Sequence, residues 1–114
     1  MSENYPDMES YEIVEFIRNI SEGDMIEVYY QKSRFMNVQS VKLTVYDTGH
    51  GNKPLISCWD SNVDDTEDAH PSKHYNLESN TRKAGYKIRN ISGSREVDGS
   101  NIISIENTTN SNIY

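Results

Sequence analysis

The chain has 114 residues and a formal net charge of −7, from 18 acidic and 11 basic side chains. That length holds one domain, and an apolar share of 34%, below the roughly 45–50% usual for globular chains, keeps its core small. The acidic surplus excludes a protein that coats DNA over many phosphates, and a single cysteine, Cys58, excludes an intrachain disulfide framework.

The first ten residues, MSENYPDMES, are polar and acidic. They match neither a signal peptide nor a transit peptide, and no apolar run approaches the roughly 20 residues of a membrane span. The expectation is a cytoplasmic protein without a membrane partner. Asn-x-Ser/Thr triplets at Asn19, Asn90 and Asn107 are read as chance matches in a chain rich in Asn and Ser.

Residues 1–9 are expected to be a disordered segment. Ile13, Phe16, Ile17 and Ile20 then fall at i, i+3, i+4 and i+7, one apolar stripe on a helix. Ser10 suits the N-cap, Glu12 complements the positive end of the helix dipole, and Gly23 suits the termination, so a helix is predicted over 10–21. The period then changes to two. Ile26, Val28 and Tyr30 share one face of a strand, with Met25, Glu27 and Tyr29 on the other. Val41, Leu43 and Val45 oppose Lys42, Thr44 and Tyr46 in the same way. The turn-forming stretch 47–52 separates this strand from a third over 55–60, in which Cys58 reads as a small buried hydrophobe. Beyond a polar loop over 61–73, residues 74–79 put Tyr75 and Leu77 on one face. Tyr86 and Ile88 alternate with Lys87 and Arg89, Asp98-Gly99 signals a turn, and Ile103 and Ile105 share one side of a last strand over 101–106. Residues 107–114 read as a flexible tail.

No helix long enough for a parallel crossover lies between these strands, so they pair antiparallel. Short strands with one helix cannot cover a flat sheet; closing the sheet removes its edges and lets a small core suffice. The predicted fold is mostly β (α+β): a five- to six-stranded antiparallel β-barrel over 10–106, with the N-terminal amphipathic helix across one end.

The stripe Ile13 to Ile20, the step Gly23-Asp24 and the strand Ile26-Glu27-Val28-Tyr29-Tyr30 together resemble the start of the small Sm-like β-barrels. The resemblance is topological and spans about 95 residues. It implies the fold and transfers no functional residue, because the RNA-binding loop signatures of that family are not in this chain. The acidic composition, with Ser and Asn together at 26 residues, and the Gly-Asp strand opening are also similar to small proteins of salt-loving archaea and their viruses.

The sharpest local feature is TRKAGYKIRNISGSR, residues 81–95. It holds Arg82, Lys83, Lys87, Arg89 and Arg95, five of the eleven basic residues, and no acid. Two readings fit it. In one, the bases track a phosphate backbone of RNA or single-stranded DNA while a base stacks on Tyr86, with Lys32, Arg34 and Phe35 extending the strip. In the other, they pair with the five acids between Asp60 and Asp68 as a solvated ion-pair surface.

Tyr29 and Tyr46 fall on the outer face of the predicted sheet. They form either a patch for another protein or a second copy of the chain, or cross-strand pairs that stabilise that face. No metal site is expected: Pro71 prevents the helix that would align His70 with His74, and the acids of 60–68 lack a calcium-loop order. No nucleophile elbow, phosphate loop or dinucleotide fingerprint is present, and His50 in a turn has no readable partner. The expectation is a non-enzymatic binding domain without a cofactor, for nucleic acid or, alternatively, for protein interaction or oligomerisation.

Overall fold

A computed structural model describes residues 7–49, 55–61, 74–79, 85–90 and 99–109. Helix α1 (Ser10–Asn19) precedes β1 (Met25–Gln31), β2 (Gln39–Asp47), β3 (Ile56–Asp60), β4 (His74–Ser79), β5 (Tyr86–Asn90) and β6 (Ser100–Asn107). The six strands close into a barrel in sequence order, each antiparallel to the next, with β6 returning to pair with β1. The predicted fold class holds. Among the described residues no helix is long and apolar enough to cross a membrane.

The period-two pattern makes the barrel. Ile26, Val28 and Tyr30 of β1 face inward, as do Leu43 and Val45 of β2 and Ile56 and Cys58 of β3. Leu77, Ile88, Ile102 and Ile105 complete the lining from β4, β5 and β6. Branched side chains suit this pleated interior, and each one fully buried contributes about 1.5–3 kcal/mol. Ile13 and Ile17 of α1, with Ile20 just after it, are buried in the same core, and the helix packs against β5 and β6.

Local chemistry sets the helix ends differently from expectation. The N-cap is Glu9 rather than Ser10: its N–H donates to Glu12 Oε1 at 2.8 Å, satisfying an otherwise orphaned donor. The helix stops at Asn19. Gly23 serves the following turn, where Asp24 Oδ2 accepts from Ser21 N–H at 2.9 Å and Gly23 N–H donates to the Val45 carbonyl at 2.8 Å. Its φ of +93° explains the glycine.

Strand β6 departs from simple alternation. The β1–β6 register shifts between Tyr29 and Tyr30, which pair with Ser104 and Ile102, leaving Ile103 as the extra residue of a bulge. Ile103 and Ile105 therefore do not share the buried side; Ile102 and Ile105 do. At the strand's far end Thr108 N–H donates to the Met25 carbonyl at 2.7 Å, and Met25 N–H donates to Thr109 Oγ1 at 2.9 Å, so the chain is clipped to β1 just past the barrel. The segments expected to be disordered or flexible, 1–9 and 107–114, lie largely outside the described residues.

Candidate functional site

Functional side chains on a closed barrel must project from its outer face or its loops, because the interior is filled. Tyr86 fails that condition. It points inward beside Ile88 and is 4% exposed, so its ring offers no face to a base, and burial raises the pKa of its hydroxyl. The period-two alternation that exposes Lys87 and Arg89 necessarily buries Tyr86 between its neighbours.

The aromatic that does project is Phe35. After β1 the chain makes a short loop, closed by Met36 N–H donating to the Ser33 carbonyl at 3.0 Å. Ser33 Oγ accepts from Phe35 N–H at 3.3 Å, and Gln31 Nε2 donates to the Met36 carbonyl at 2.7 Å, tying the loop to its strand. The tip presents Phe35, 87% exposed, and Met36, 50% exposed, with Lys32 and Arg34 exposed beside them. The Arg34 guanidinium lies 5.3 Å from the centre of the Phe35 ring, a cation–π contact.

Register joins this loop to the basic strand. Gln31 of β1 pairs with Asn101 of β6, and Asn101 pairs with Lys87 of β5. All three project outward, and adjacent strands lie about 4.8 Å apart, so Lys87 is roughly 10 Å from the base of the Phe35 loop. The extension of the basic strip through Lys32, Arg34 and Phe35 thus has a geometric basis invisible along the chain: β1 and β5 are separated by one strand, β6.

Arg89, two residues beyond Lys87 on the same face, is engaged: its Nε is 3.4 Å from Glu78 Oε1 on β4, and Glu78 is also the register partner of Lys87. This partner is a β4 acid rather than one of the acids between Asp60 and Asp68 that the ion-pair reading named. Arg82, Lys83, Arg95 and the acids of 62–68 lie outside the described residues, as do His50 and His70.

Tyr29 and Tyr46 are outward but not neighbours. Tyr29 pairs with Ser40, and Tyr46 is six residues further along β2, roughly 20 Å at strand rise. Tyr29 stands two residues along β1 from Glu27, whose register partner on β6 is Glu106. Burial, the Glu27 charge, a hydrogen bond to Glu27 and the Glu106 charge push its hydroxyl pKa up to about 12. That side of the barrel is acidic, relieved by Lys42 opposite Glu27.

Tyr46 instead stacks on Trp59, with ring centres 4.9 Å apart and planes 25° apart. His74 meets both rings edge-on, at 5.6 Å and 6.0 Å, and its Nδ1 is hydrogen-bonded to the Tyr46 hydroxyl at 3.1 Å. This outer aromatic cluster across β2, β3 and β4 is partly exposed. Its His74 member was missed in the sequence because the contact depends on the Trp59–His74 register; the only available signal was the alternation that turns His74 outward opposite Tyr75 and Leu77.

Among the described residues no group of three or more His, Cys, Asp or Glu side chains is arranged to hold a metal. Cys58 is fully buried, and that burial raises its thiol pKa, so it is not placed for nucleophilic chemistry. Comparison with known proteins returns no match to a family model, a curated protein or a solved structure. What is shown is a small closed antiparallel barrel preceded by a helix; the comparisons support neither a relation to the Sm-like family nor one to proteins of salt-loving organisms.

Proposed function

We propose that this domain binds single-stranded nucleic acid, RNA or DNA, without acting as an enzyme. The observation that carries the reading is Phe35: a ring 87% exposed with the Arg34 guanidinium 5.3 Å from its centre, on a loop tied to its strand, one strand away from Lys87. Single-strand binders combine a backbone-tracking positive surface with aromatic faces on which bases stack, and Lys32, Arg34, Lys87 and Phe35 supply both. The acidic Glu27–Glu106 pair, at the other end of β1 and β6 from Gln31 and Asn101, repels a phosphate backbone and so confines a strand to the Gln31–Asn101–Lys87 end of the outer face. An isolated exposed hydrophobe is ordinary on protein surfaces; what favours a site is the combination of ring, cations and absence of acid within the loop.

The test is fluorescence anisotropy of labelled single-stranded oligonucleotides at several salt concentrations. With Lys32, Arg34 and Lys87 each meeting a phosphate, the slope of log K against log salt is about −2. Charge reversal at Arg34 and Lys87 weakens binding and flattens that slope. Binding that ignores salt, or that survives both reversals unchanged, refutes the reading.

A further inference from the structure

Resting on that reading, we infer that the Tyr46–Trp59–His74 cluster is a second base-stacking subsite, so that one nucleic-acid strand runs from Phe35 across Lys87 and Arg89 to Trp59.

The argument is one of continuity on the outer face. Arg89 of β5 pairs with Asn76 of β4, and Asn76 lies two residues from His74 on the same face of that strand. His74 pairs with Trp59 of β3, on which Tyr46 stacks. The rings thus begin one strand beyond Arg89, on the side away from Phe35. The outward β4 acid, Glu78, lies opposite Lys87, four residues from His74, and is engaged with Arg89. The result is an aromatic at each end of a cationic middle, the order a strand needs if its bases stack where its phosphates are held.

The cluster also suits a nucleobase chemically. Its rings are fixed relative to one another by stacking, two edge contacts and a hydrogen bond. A base therefore meets a platform whose side-chain entropy is already spent, and every base has a π-face to offer. Gln31, Asn76 and Asn101 along the path are neutral amides that do not repel phosphate.

The closing experiment uses the chain's single tryptophan. The full-length protein is titrated with an unlabelled oligothymidylate of about ten nucleotides, within the range of single-domain sites, and with one of about three, below it. Trp59 emission and, in parallel, anisotropy of the labelled oligonucleotides are read. The inference expects the long oligonucleotide to quench Trp59 along the same isotherm as the anisotropy, and the short one to bind more weakly. Trp59→Leu and Tyr46→Leu should each weaken the long oligonucleotide by about fivefold to a hundredfold, with Trp59→Phe restoring most of the loss. Urea midpoints identify any variant that fails to fold; the wild-type quenching needs no variant at all. Binding by anisotropy with unchanged Trp59 emission, and with Tyr46→Leu as tight as wild type, overturns the second subsite and leaves the Phe35 strip standing. No binding of either oligonucleotide at low salt overturns both. A rise to a multiple of the monomer mass that alters Trp59 emission without oligonucleotide overturns the inference in favour of a contact between copies.

Discussion

Replacing Tyr86 by alanine separates a structural aromatic from a binding one. The ring is 4% exposed and lies in the cluster with Ile88, Leu77 and the α1 isoleucines. Truncating a buried aromatic leaves a cavity and costs about 3–5 kcal/mol, a large part of the roughly 5–15 kcal/mol that holds a small domain together. For a chain of this size the loss lowers Tm by roughly 10–20 °C. Phe35→Ala removes a ring that touches little of the protein and shifts stability by no more than about 0.5 kcal/mol. Urea unfolding followed by Trp59 emission measures both variants on one scale. The expected outcome is a sharply lowered midpoint for Tyr86→Ala and an unchanged one for Phe35→Ala. A Tyr86→Ala protein as stable as wild type refutes the placement of this side chain inside the barrel, and with it the assignment of Phe35 as the stacking ring.

Gly49→Ala destabilises more than Gly23→Ala in urea unfolding: both have positive φ, +62° and +93°, but only at Gly49 does an added Cβ meet a backbone atom, the Leu55 carbonyl oxygen at 2.8 Å. The Gly23 variant carries only the left-handed backbone cost of about 1–2 kcal/mol. Glu12→Ala removes the acceptor of the Glu9 N–H and lowers stability by about 1 kcal/mol, measured the same way. The Cys58 thiol is inert to a disulfide reagent in the native protein and reacts at the rate of unfolding, which a thiol titration with and without urea shows. Stability falls in alkali: burial raises the Cys58 thiol and the Tyr86 hydroxyl, and Tyr29 stands near 12. The unfolded chain loses these protons from about 8.5 and about 10, so the stability they represent is complete below those values. It is lost as pH rises through each folded value. Urea midpoints that stay flat from neutral pH to pH about 11 contradict this.

The barrel was legible because its signal is local. Ile26-Val28-Tyr30 and Tyr86-Ile88 announce their inward faces through spacing alone, and the same spacing, applied strictly, buries Tyr86 while exposing Lys87. What the chain order hides is adjacency. Nothing between Gln31 and Lys87 in sequence shows that a single strand separates them; closure of β6 onto β1 does that. The same holds for the aromatic cluster, in which Tyr46 and His74 are 28 residues apart and meet on Trp59 through the registers of three strands. The β6 bulge was hidden because one extra residue changes which isoleucine faces inward without changing composition. Tyr29 and Tyr46 looked alike in sequence, but their positions differ: one is flanked by carboxylates, the other by rings.

The central claim is that a single strand lies across the Gln31–Asn101–Lys87 end of β1, β6 and β5, and a backbone-amide chemical-shift titration with a short single-stranded oligonucleotide tests it most directly. The account predicts saturable shifts concentrated at residues 31–36, 87–89 and 101, with the amides around Glu27 and Glu106 and along α1 unmoved. Shifts centred on α1 or on the Glu27–Glu106 side, or no shifts at low salt, contradict it.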